Sequence, residues 1–312
     1  MAKRVYPTHT WHPRYWPTHA VILLLKLLAW LPWPLKISTG RMIGRLAYLF
    51  ARQRRHYTEI NIALCFPEKT PQQQRELVKE SFISNGIGLV EVATCLVRDV
   101  SELKERVTFL GREHMDKALA QGKGVLVLGA HFSMLDLGGA LHTLFYPGDA
   151  IYKPHKNPVM DAFIQQGRLK HYEQMVPQKD LKALVRRIRQ GKAVWYSPDQ
   201  DFGRKVSVFA PFFGVTAASV TMTARIAKMT GAPVLPLRMH RNPDQRSYTL
   251  EYLPPLENFP SDDALQDATR VNQVLEQMIR LHPEQYLWMH RRFKTQADPS
   301  LASPYKHRSS RL

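Results

Sequence analysis

Cysteine is scarce in this chain, with only Cys65 and Cys95 among 312 residues. The two are not part of a C-x-x-C pair, and both have apolar neighbours in the sequence. Because a disulfide framework or a thiolate metal site needs paired or clustered cysteines, the sequence supports neither. We expect two buried, reduced thiols.

Acidic residues are also few: 26 Asp and Glu stand against 44 Lys and Arg, which gives a formal net charge of +18. A surface of this charge attracts nucleic acid, an acidic membrane, a phosphorylated substrate or an acidic carrier protein. The charge alone does not choose among them. Since the chain has no helix-turn-helix, zinc-finger, RRM or KH signature, we expect no specific nucleic-acid partner.

Internal repeats and low-complexity tracts are absent from the sequence. Its 44% hydrophobic content is enough for one sizeable core. We expect a membrane anchor with a basic amphipathic segment over residues 1–56, a catalytic domain over 57–300 and a disordered basic tail over 301–312. No pattern in the sequence indicates an oligomeric state.

An apolar run interrupted by one lysine spans residues 20–35. As a helix with ~1.5 Å per residue it would reach roughly 24 Å, short of the ~30 Å hydrocarbon core, so it either spans poorly or lies partly in the interface. Aromatic residues typical of the headgroup boundary crowd its ends: Trp11, Tyr15, Trp16, Trp30 and Trp33. Prolines at 32 and 34, and the absence of a cleavage site, favour a retained anchor over a removed signal.

The segment after this run has two unlike sides on a helical wheel. One side carries Ile43, Leu46, Ala47 and Phe50, and the other carries Arg41, Arg45 and Arg52. This pattern is typical of a basic interfacial helix on anionic lipid, although a surface helix packed on the core gives it too. Because the segment follows an apolar run, we favour the membrane interpretation, with this side facing the cytoplasm.

Alternating strand and helix patterns fill the rest of the chain. Thr70, Pro71 and Gln73 form an N-cap, a first-turn proline and a capping-box partner, which predict a helix to about Val97. Strands are predicted at 107–110, 125–128, 150–152, 194–197, 234–239 and 248–252, with a weaker one near Met175. Helical patterns cover 181–188 and, after the cap candidate Ser261, 268–278. The order predicts an α/β fold with a mixed, largely parallel sheet of about seven strands.

The strongest catalytic candidates follow the predicted strand at 125–128, in GKGVLVLGAHFSMLDLGG. Of the 13 histidines, only His131 has an acidic residue five positions on, and that residue is Asp136. The spacing alone is weak, but the carboxyl edge of a sheet is where open α/β folds place their sites. A structural alternative exists, because Ser133 and Asp136 fit an S-x-x-D capping box that would only close a helix.

This pair suits acyl transfer from a thioester to an alcohol. A neutral imidazole, with a pKa near ~6.5, can take the hydroxyl proton at cellular pH while the carboxylate orients the ring. The chain has no G-x-S-x-G nucleophile motif, so we expect direct attack by the hydroxyl. The reaction requires neither a metal nor a cofactor.

Six blocks resemble, in order, those of the late acyltransferases of lipid A biosynthesis. They are HFSMLD at 131–136, QQGRLK at 165–170, WYSPDQDFGRK at 195–205, APFFG at 210–214, GAPVLPL at 231–237 and QYLWMHRRFK at 285–294. The likeness covers nearly the whole chain, and the H-x4-acid box implies a broader kinship with lysophospholipid and glycerol-phosphate acyltransferases. The resemblance implies an α/β/α sandwich around a mixed sheet.

The resemblance also implies a reaction and a location. An acyl carrier protein would donate the acyl group to a Kdo-bearing lipid A precursor, on the cytoplasmic face of a bacterial inner membrane. His131 would be the base and Asp136 its partner, although many members have a glutamate at the latter position. Arg168 would contact an acceptor phosphate or the developing oxyanion; as an alternative, it is a cation that stabilises a helix C-terminus.

Four charged residues after the strand at 194–197 complete the predicted substrate site: Asp199, Asp201, Arg204 and Lys205. The two bases would bind acceptor phosphate, and the two aspartates would hold those bases or bind acceptor hydroxyls. A plain turn with a salt bridge is the alternative, and Mg²⁺ is not favoured because no second ligand cluster accompanies the aspartates. For His290, Arg291 and Arg292 structural anchoring is as consistent as substrate contact, and we expect Tyr286 and Trp288 in the core or at an interface.

Three other functions remain open from the sequence. The chain could acylate a glycerol phospholipid instead, or it could be a non-catalytic basic protein of the membrane surface, or it could bind nucleic acid without specificity.

Overall fold

The computed structural model describes residues 10–306, so the first nine residues of the expected anchor and the last six of the expected tail lie outside it. The α-helices are α1 Trp16–Trp30, α2 Trp33–Phe50, α3 Arg52–Cys65, α4 Pro71–Val97, α5 Arg112–Ala120, α6 Leu135–Thr143, α7 Pro158–Arg168, α8 Leu181–Arg189, α9 Met222–Thr230 and α10 Ala264–Leu281. The strands are β1 Val107–Leu110, β2 Val125–Leu128, β3 Gly148–Tyr152, β4 Met175–Pro177, β5 Ala193–Tyr196, β6 Ser207–Phe212, β7 Val215–Val220, β8 Val234–Arg241 and β9 Tyr248–Tyr252.

Seven strands form one sheet in the order β1-β9-β8-β2-β5-β3-β4. Its neighbouring strands are parallel except β8 and β9, which are antiparallel. The predicted mixed, largely parallel sheet of seven strands is therefore confirmed. β6 and β7 were not predicted as strands; they form a separate antiparallel hairpin around Phe213 and Gly214, which both have positive φ.

Helices cover both faces of the sheet, as the resemblance implied. The chain moves outward along the sheet from β2 to β3 to β4 through α6 and α7, and then returns inward to β5 through α8. Because parallel crossovers are right-handed, this reversal puts α8 on the face opposite α6 and α7. α4 packs on α6 and α7, while α9 packs on α8 and α10, so the two helical layers are distinct.

The long helix α4 confirms its predicted bounds and its Thr70–Gln73 capping box. α10 differs from prediction, because it begins at Ala264 and is capped by the Asp263 side chain rather than by Ser261. An aspartate directly before the helix reaches the free main-chain N–H groups of its first turn, which Ser261 is too far back to do. Both cysteines are buried and free, as expected.

The amino-terminal apolar run is two helices, so the prediction of one anchor helix over 20–35 was wrong. α1 ends at Trp30, and Leu31 has extended backbone because a residue before proline is disfavoured in the helical region. α1 packs on α4 and α7, and α2 packs on α4. Within residues 10–306, α4 is the one helix long and apolar enough to cross a membrane, and 67% of its apolar window is buried, as in a core helix.

α2 contacts α4 through glycines. A Cβ atom built on Gly86 of α4 would lie 2.3 Å from the carbonyl oxygen of Gly40, and one on Gly44 would lie 2.5 Å from that of Phe82. The two helices therefore touch backbone to backbone.

The outer side of α2 combines apolar and basic residues, but with a different division from the predicted one. Ile43 and Ala47 are partly buried, whereas Leu46 and Phe50 are exposed. Arg52 belongs to α3, because α2 ends at Phe50. Exposed apolar side chains continue along both helices: Trp16, Leu23, Leu24, Leu27, Trp30, Leu35, Met42, Leu46, Leu49 and Phe50.

Candidate active site

The carboxyl ends of two adjacent parallel strands meet at the candidate site. β2 pairs with β5 so that Leu128 lies opposite Tyr196. His131 follows Leu128 by three residues, and Asp199 follows Tyr196 by the same number. The register therefore brings these two side chains together at the sheet edge, where α/β proteins place their sites.

His131 is held through one of its ring nitrogens. Its Nδ1 lies 2.7 Å from Oδ1 of Asp199, and its main-chain N–H donates to Oδ2 of the same carboxylate at 3.0 Å. The Ser197 hydroxyl donates to Oδ1 of Asp199 at 2.5 Å and lies 2.7 Å from Nδ1. Nε2 of His131 forms no hydrogen bond with any described residue, and the side chain is 24% exposed. The free nitrogen is thus the one available to a substrate.

This arrangement sets the charge of both groups. Burial alone would raise the pKa of Asp199, but the His131 ring and the hydrogen bonds from Ser197 and the His131 N–H lower that pKa far below its usual range. Burial also lowers the pKa of His131, yet the Asp199 carboxylate outweighs it, so the pKa of the imidazole is raised above 6.5. Asp199 therefore stays ionised and favours the imidazolium form.

Asp136 has a partner other than His131. Its Oδ1 accepts a hydrogen bond from Nε of Arg168 at 2.7 Å. Asp136 lies in the first turn of α6 and Arg168 ends α7, and these helices share one face of the sheet. The structure thus gives His131 a carboxylate partner, Asp199, different from the expected Asp136, because the position of β5, the strand that precedes Asp199, beside β2 could not be read from the sequence. Asp136 still contributes through its charge, which raises the pKa of His131.

The capping-box alternative for Asp136 does not form. α6 begins after Met134, with no side-chain hydrogen bond at its cap, and the Ser133 hydroxyl lies 2.9 Å from that of Ser84. A Cβ atom on Gly88 of α4 would lie 2.2 Å from the Ser133 carbonyl oxygen. The loop that carries His131 therefore rests directly on the backbone of α4.

Arg168 is a largely buried cation that forms an ion pair with Asp136. Burial opposes its charge, but Asp136 outweighs burial and raises the pKa of the guanidinium. Although Arg168 does end a helix, as the alternative interpretation held, its Nε hydrogen bond aims it at Asp136. His131, Asp136, Arg168 and Asp199 thus form one charged cluster.

Ser197 does not complete a serine nucleophile triad. In such a triad the serine and the aspartate occupy opposite nitrogens of the histidine, so that a proton passes through the ring. Here Ser197 and Asp199 both contact Nδ1. Ser197 positions the carboxylate and the ring, and the geometry favours direct attack by an acceptor over an acyl-serine.

Asp201, Arg204 and Lys205 are not brought to His131. Asp201 accepts hydrogen bonds from the main-chain N–H and hydroxyl of Thr295, at 2.8 and 2.9 Å. Arg204 donates to the carbonyls at 296 and 297, and its guanidinium lies over the Phe209 ring. Lys205 is exposed and makes no hydrogen bond or ion pair with a described residue. Asp201 therefore ties its loop to the segment after the last predicted block.

The residues of the last block, 285–294, have different roles in the structure. Arg292 is buried and donates to the Ala218 carbonyl and the Ser219 hydroxyl, so it anchors the β6–β7 hairpin. Tyr286 and Trp288 lie in the core, which confirms one of the two predicted placements. His290, by contrast, lies with its ring centroid 5.9 Å from that of His131, and burial lowers its pKa to about 4. It is a neutral neighbour of the candidate base.

Sequence reasoning missed Ser197 and Gln200 as site residues. Both belong to the same WYSPDQDFGRK block as Asp199, so the block itself was the available signal. Gln200 contacts Nε2 of His290 at 3.0 Å.

A cavity of about 380 Å³ opens beside the charged cluster. His131, Ser197 and Gln200 line it, together with apolar side chains from β3, β5, α8 and the β6–β7 hairpin. These apolar residues include Ile151, Leu184, Trp195, Tyr196 and Val220. A hydrocarbon chain fits such a lining, and a polar reacting group would lie at the histidine.

Comparison with known proteins identifies the family of this chain. The model of the bacterial lipid A biosynthesis acyltransferase family matches residues 6–295. The lipid A biosynthesis lauroyltransferase of Escherichia coli K12 is 39% identical over 288 residues, which cover 92% of this chain and 94% of that protein. The palmitoleoyltransferase of the same organism is 37% identical over 285 residues, covering 91% and 93%.

A solved structure also resembles this chain, but at low sequence identity. The 1-acyl-sn-glycerophosphate acyltransferase of Thermotoga maritima is 17% identical, covers 84% of this chain and 97% of its own, and has a TM-score of 0.37, which is too low to support a conclusion. The family match and the close relatives suffice without it. The chain belongs to the bacterial lipid A biosynthesis acyltransferase family and is an acyltransferase.

Proposed function

We propose that this enzyme transfers a fatty acyl group from an acyl carrier protein to a hydroxyl of a Kdo-bearing lipid A precursor. The observation that carries the proposal is the His131 imidazole, held at Nδ1 by the buried Asp199 carboxylate beside an apolar cavity. Nε2 takes the proton of the acceptor hydroxyl as its oxygen attacks the thioester carbon. The C–S bond breaks, and the carrier thiolate leaves with that proton.

Asp136 and Arg168 support the same step in this proposal. The charge of Asp136 stabilises the imidazolium that forms on His131, as expected of the second member of the catalytic pair. Arg168, held by Asp136, is the cation available to stabilise the oxyanion or to bind an acceptor phosphate. Asp199 acts through the imidazole ring. We propose the exposed Arg204 and Lys205 for a phosphate of the acceptor that lies away from His131.

The acceptor and donor follow from the relatives and from charge. The relatives carry names of lipid A acylation, and lipid A precursors are anionic, which matches a net charge of +18. An acidic carrier protein matches it equally. Purified enzyme should therefore acylate the precursor with an acyl carrier protein as donor, measured by mass spectrometry of the lipid product.

His131→Ala should lower the turnover by on the order of 10⁴-fold or more, since it removes the base. His114→Ala on α5, a histidine outside the site, is the matched control and should keep wild-type activity. Offering a lysoglycerophospholipid to the same preparation tests the other acceptor class. Acylation of that lipid in place of the precursor would contradict the proposed acceptor.

We also propose that α1 and α2 hold the enzyme on the cytoplasmic face of the bacterial inner membrane. Their exposed apolar side chains, with Arg41 and Arg45 beside them on α2, suit an interface of acyl chains and anionic headgroups. Leu46→Glu should reduce flotation with phosphatidylglycerol vesicles. Leu265→Glu on α10 is the matched control and should not, because Leu265 is as exposed (47%) as Leu46 (46%) but lies on another helix. Equal flotation of both variants would contradict the membrane contact.

A further inference from the structure

A second groove lies over α8, outside the active-site cavity. It is an open groove of about 1060 Å³ with apolar contact surface from Pro177, Leu181, Val185 and Met229. Four cations line the same groove: Lys179, Lys182, Arg186 and Arg189. An apolar floor with a cationic rim is the composition of a surface that binds an acidic partner.

The rim charges are largely free to meet such a partner. Lys182 and Arg186 are exposed, lie one helical turn apart and make no ion pair with a described residue. Asp180, the acidic residue of the lining, is used as the N-cap of α8, where it accepts from the Ala183 N–H at 2.9 Å. Arg187, which lies on α8 but outside the groove, differs from Lys182 and Arg186 because it forms an ion pair with Asp149.

The groove adjoins the active-site cavity. Pro177, Asp180 and Leu181 line both. A chain that leaves a partner seated on α8 thus has a short path along shared walls to His131. Two more exposed cations, Lys153 and Arg225, line the cavity that it would enter.

The position of α8 decides between an anionic membrane and an acidic protein. α8 covers the face of the sheet opposite α6 and α7, whereas α1 and α2 pack on α4, which lies on the α6 and α7 side. The groove and the exposed apolar side of α1 and α2 therefore belong to different helical layers. This separation favours a protein in solution over the bilayer as the partner of the groove.

We infer that the α8 groove is the docking surface for the acidic acyl carrier protein, with its thioester-linked chain passing from there into the cavity beside His131. This rests on the proposed function, which names the carrier protein as donor. Opposite charges steer the encounter, and the apolar floor holds the docked carrier.

The test compares the wild-type enzyme and three variants with two donors. Lys182→Glu with Arg186→Glu reverses the groove charges, and Lys182→Gln with Arg186→Gln only removes them. Arg75→Glu with Lys79→Glu is the control, with the same spacing at exposed positions near the start of α4. The donors are acyl carrier protein and acyl-pantetheine, both with the acyl chain that the wild-type enzyme accepts best. Thermal unfolding of each variant checks the fold.

The reversed variant should raise KM for acyl carrier protein by about tenfold or more, and the neutral variant by less. The kinetics with acyl-pantetheine should stay within about twofold, and the control should match wild type with both donors. The wild-type KM for acyl carrier protein should also rise with salt more steeply than that of the reversed variant.

An unchanged KM for acyl carrier protein in the reversed variant would overturn the inference. Equal losses with both donors would also overturn it, as would loss of binding to phosphatidylglycerol vesicles with intact use of the carrier. Failure of the wild-type enzyme to use acyl carrier protein at all would instead contradict the proposed function, so the two failures are distinct.

Discussion

The Asp199→Asn variant separates the two carboxylates near His131. The native carboxylate accepts three hydrogen bonds, from Nδ1 of His131, from the His131 main-chain N–H and from the Ser197 hydroxyl. An asparagine amide keeps one acceptor oxygen and replaces the other with an NH₂ group. At least one buried donor then loses its acceptor, which should lower the free energy of unfolding by about 1–3 kcal/mol.

The same change should affect catalysis far more than stability. Without the carboxylate the ring loses the charge that stabilises the imidazolium and fixes the tautomer with a free Nε2. Losses of this kind reduce turnover on the order of 10⁴-fold. The assay is kcat/KM for acyl carrier protein and the lipid A precursor, with urea unfolding of the same preparations.

The pH profile gives a second readout of the variant. The pKa of His131 is raised above 6.5 by Asp199. Since His131 must be neutral to act as the proposed base, wild-type activity should rise with pH through that raised pKa. Asp199→Asn removes this effect, so the residual activity should begin to rise at lower pH. A shift of the acid limb to higher pH would contradict the ion pair.

Asp136→Asn is the matched comparison. Its oxygen can still accept from Nε of Arg168, so both the stability loss and the activity loss should be smaller than in Asp199→Asn. If Asp136→Asn instead abolished activity as fully as His131→Ala while Asp199→Asn kept more than about a tenth, the reasoning would be refuted. Asp136 would then be the direct partner of His131 during turnover.

Three further outcomes are expected. Gly88→Ala should lower kcat and destabilise the fold by about 1–3 kcal/mol, because its Cβ would meet the Ser133 carbonyl at 2.2 Å; kinetics and thermal unfolding check this. Asp201→Asn should weaken the hold on Thr295 and lower the unfolding temperature, with a much smaller effect on kcat than Asp199→Asn. Burial lowers the pKa of His142 to about 4, so the contribution of this residue to the unfolding free energy should fall by about 3 kcal/mol as pH drops from 6.5 to 4. Urea unfolding of His142→Gln should show a pH dependence smaller than that of the wild type by this amount.

The local elements of the fold were predictable, because their signals are local. The Thr70–Gln73 capping box places the start of α4, and apolar runs mark the seven sheet strands. The β6–β7 hairpin was missed, since its turn at Phe213 and Gly214 uses positive φ at a non-glycine residue, which has no clear sequence signal. The break at Leu31 was readable from Pro32, but the apolar run on both sides outweighed it.

The candidate site was predictable only in part. His131 and Asp199 were found, because they follow apolar runs that end in polar side chains. Their pairing was not, since it depends on β5 lying beside β2 although two other strands separate them in the chain. Strand order is a long-range property, whereas the H-x4-acid spacing pointed to the nearer carboxylate.

The glycines of α4 have a mechanical consequence. Gly86 meets the backbone of α2, and two residues later Gly88 meets the backbone of the loop that carries His131. Because these contacts join backbone to backbone, a displacement of α2 moves the loop directly, with no flexible side chain between them. We therefore expect His131, the proposed base, to stay at a constant distance from α2, and an acceptor hydroxyl has to reach that position to be acylated.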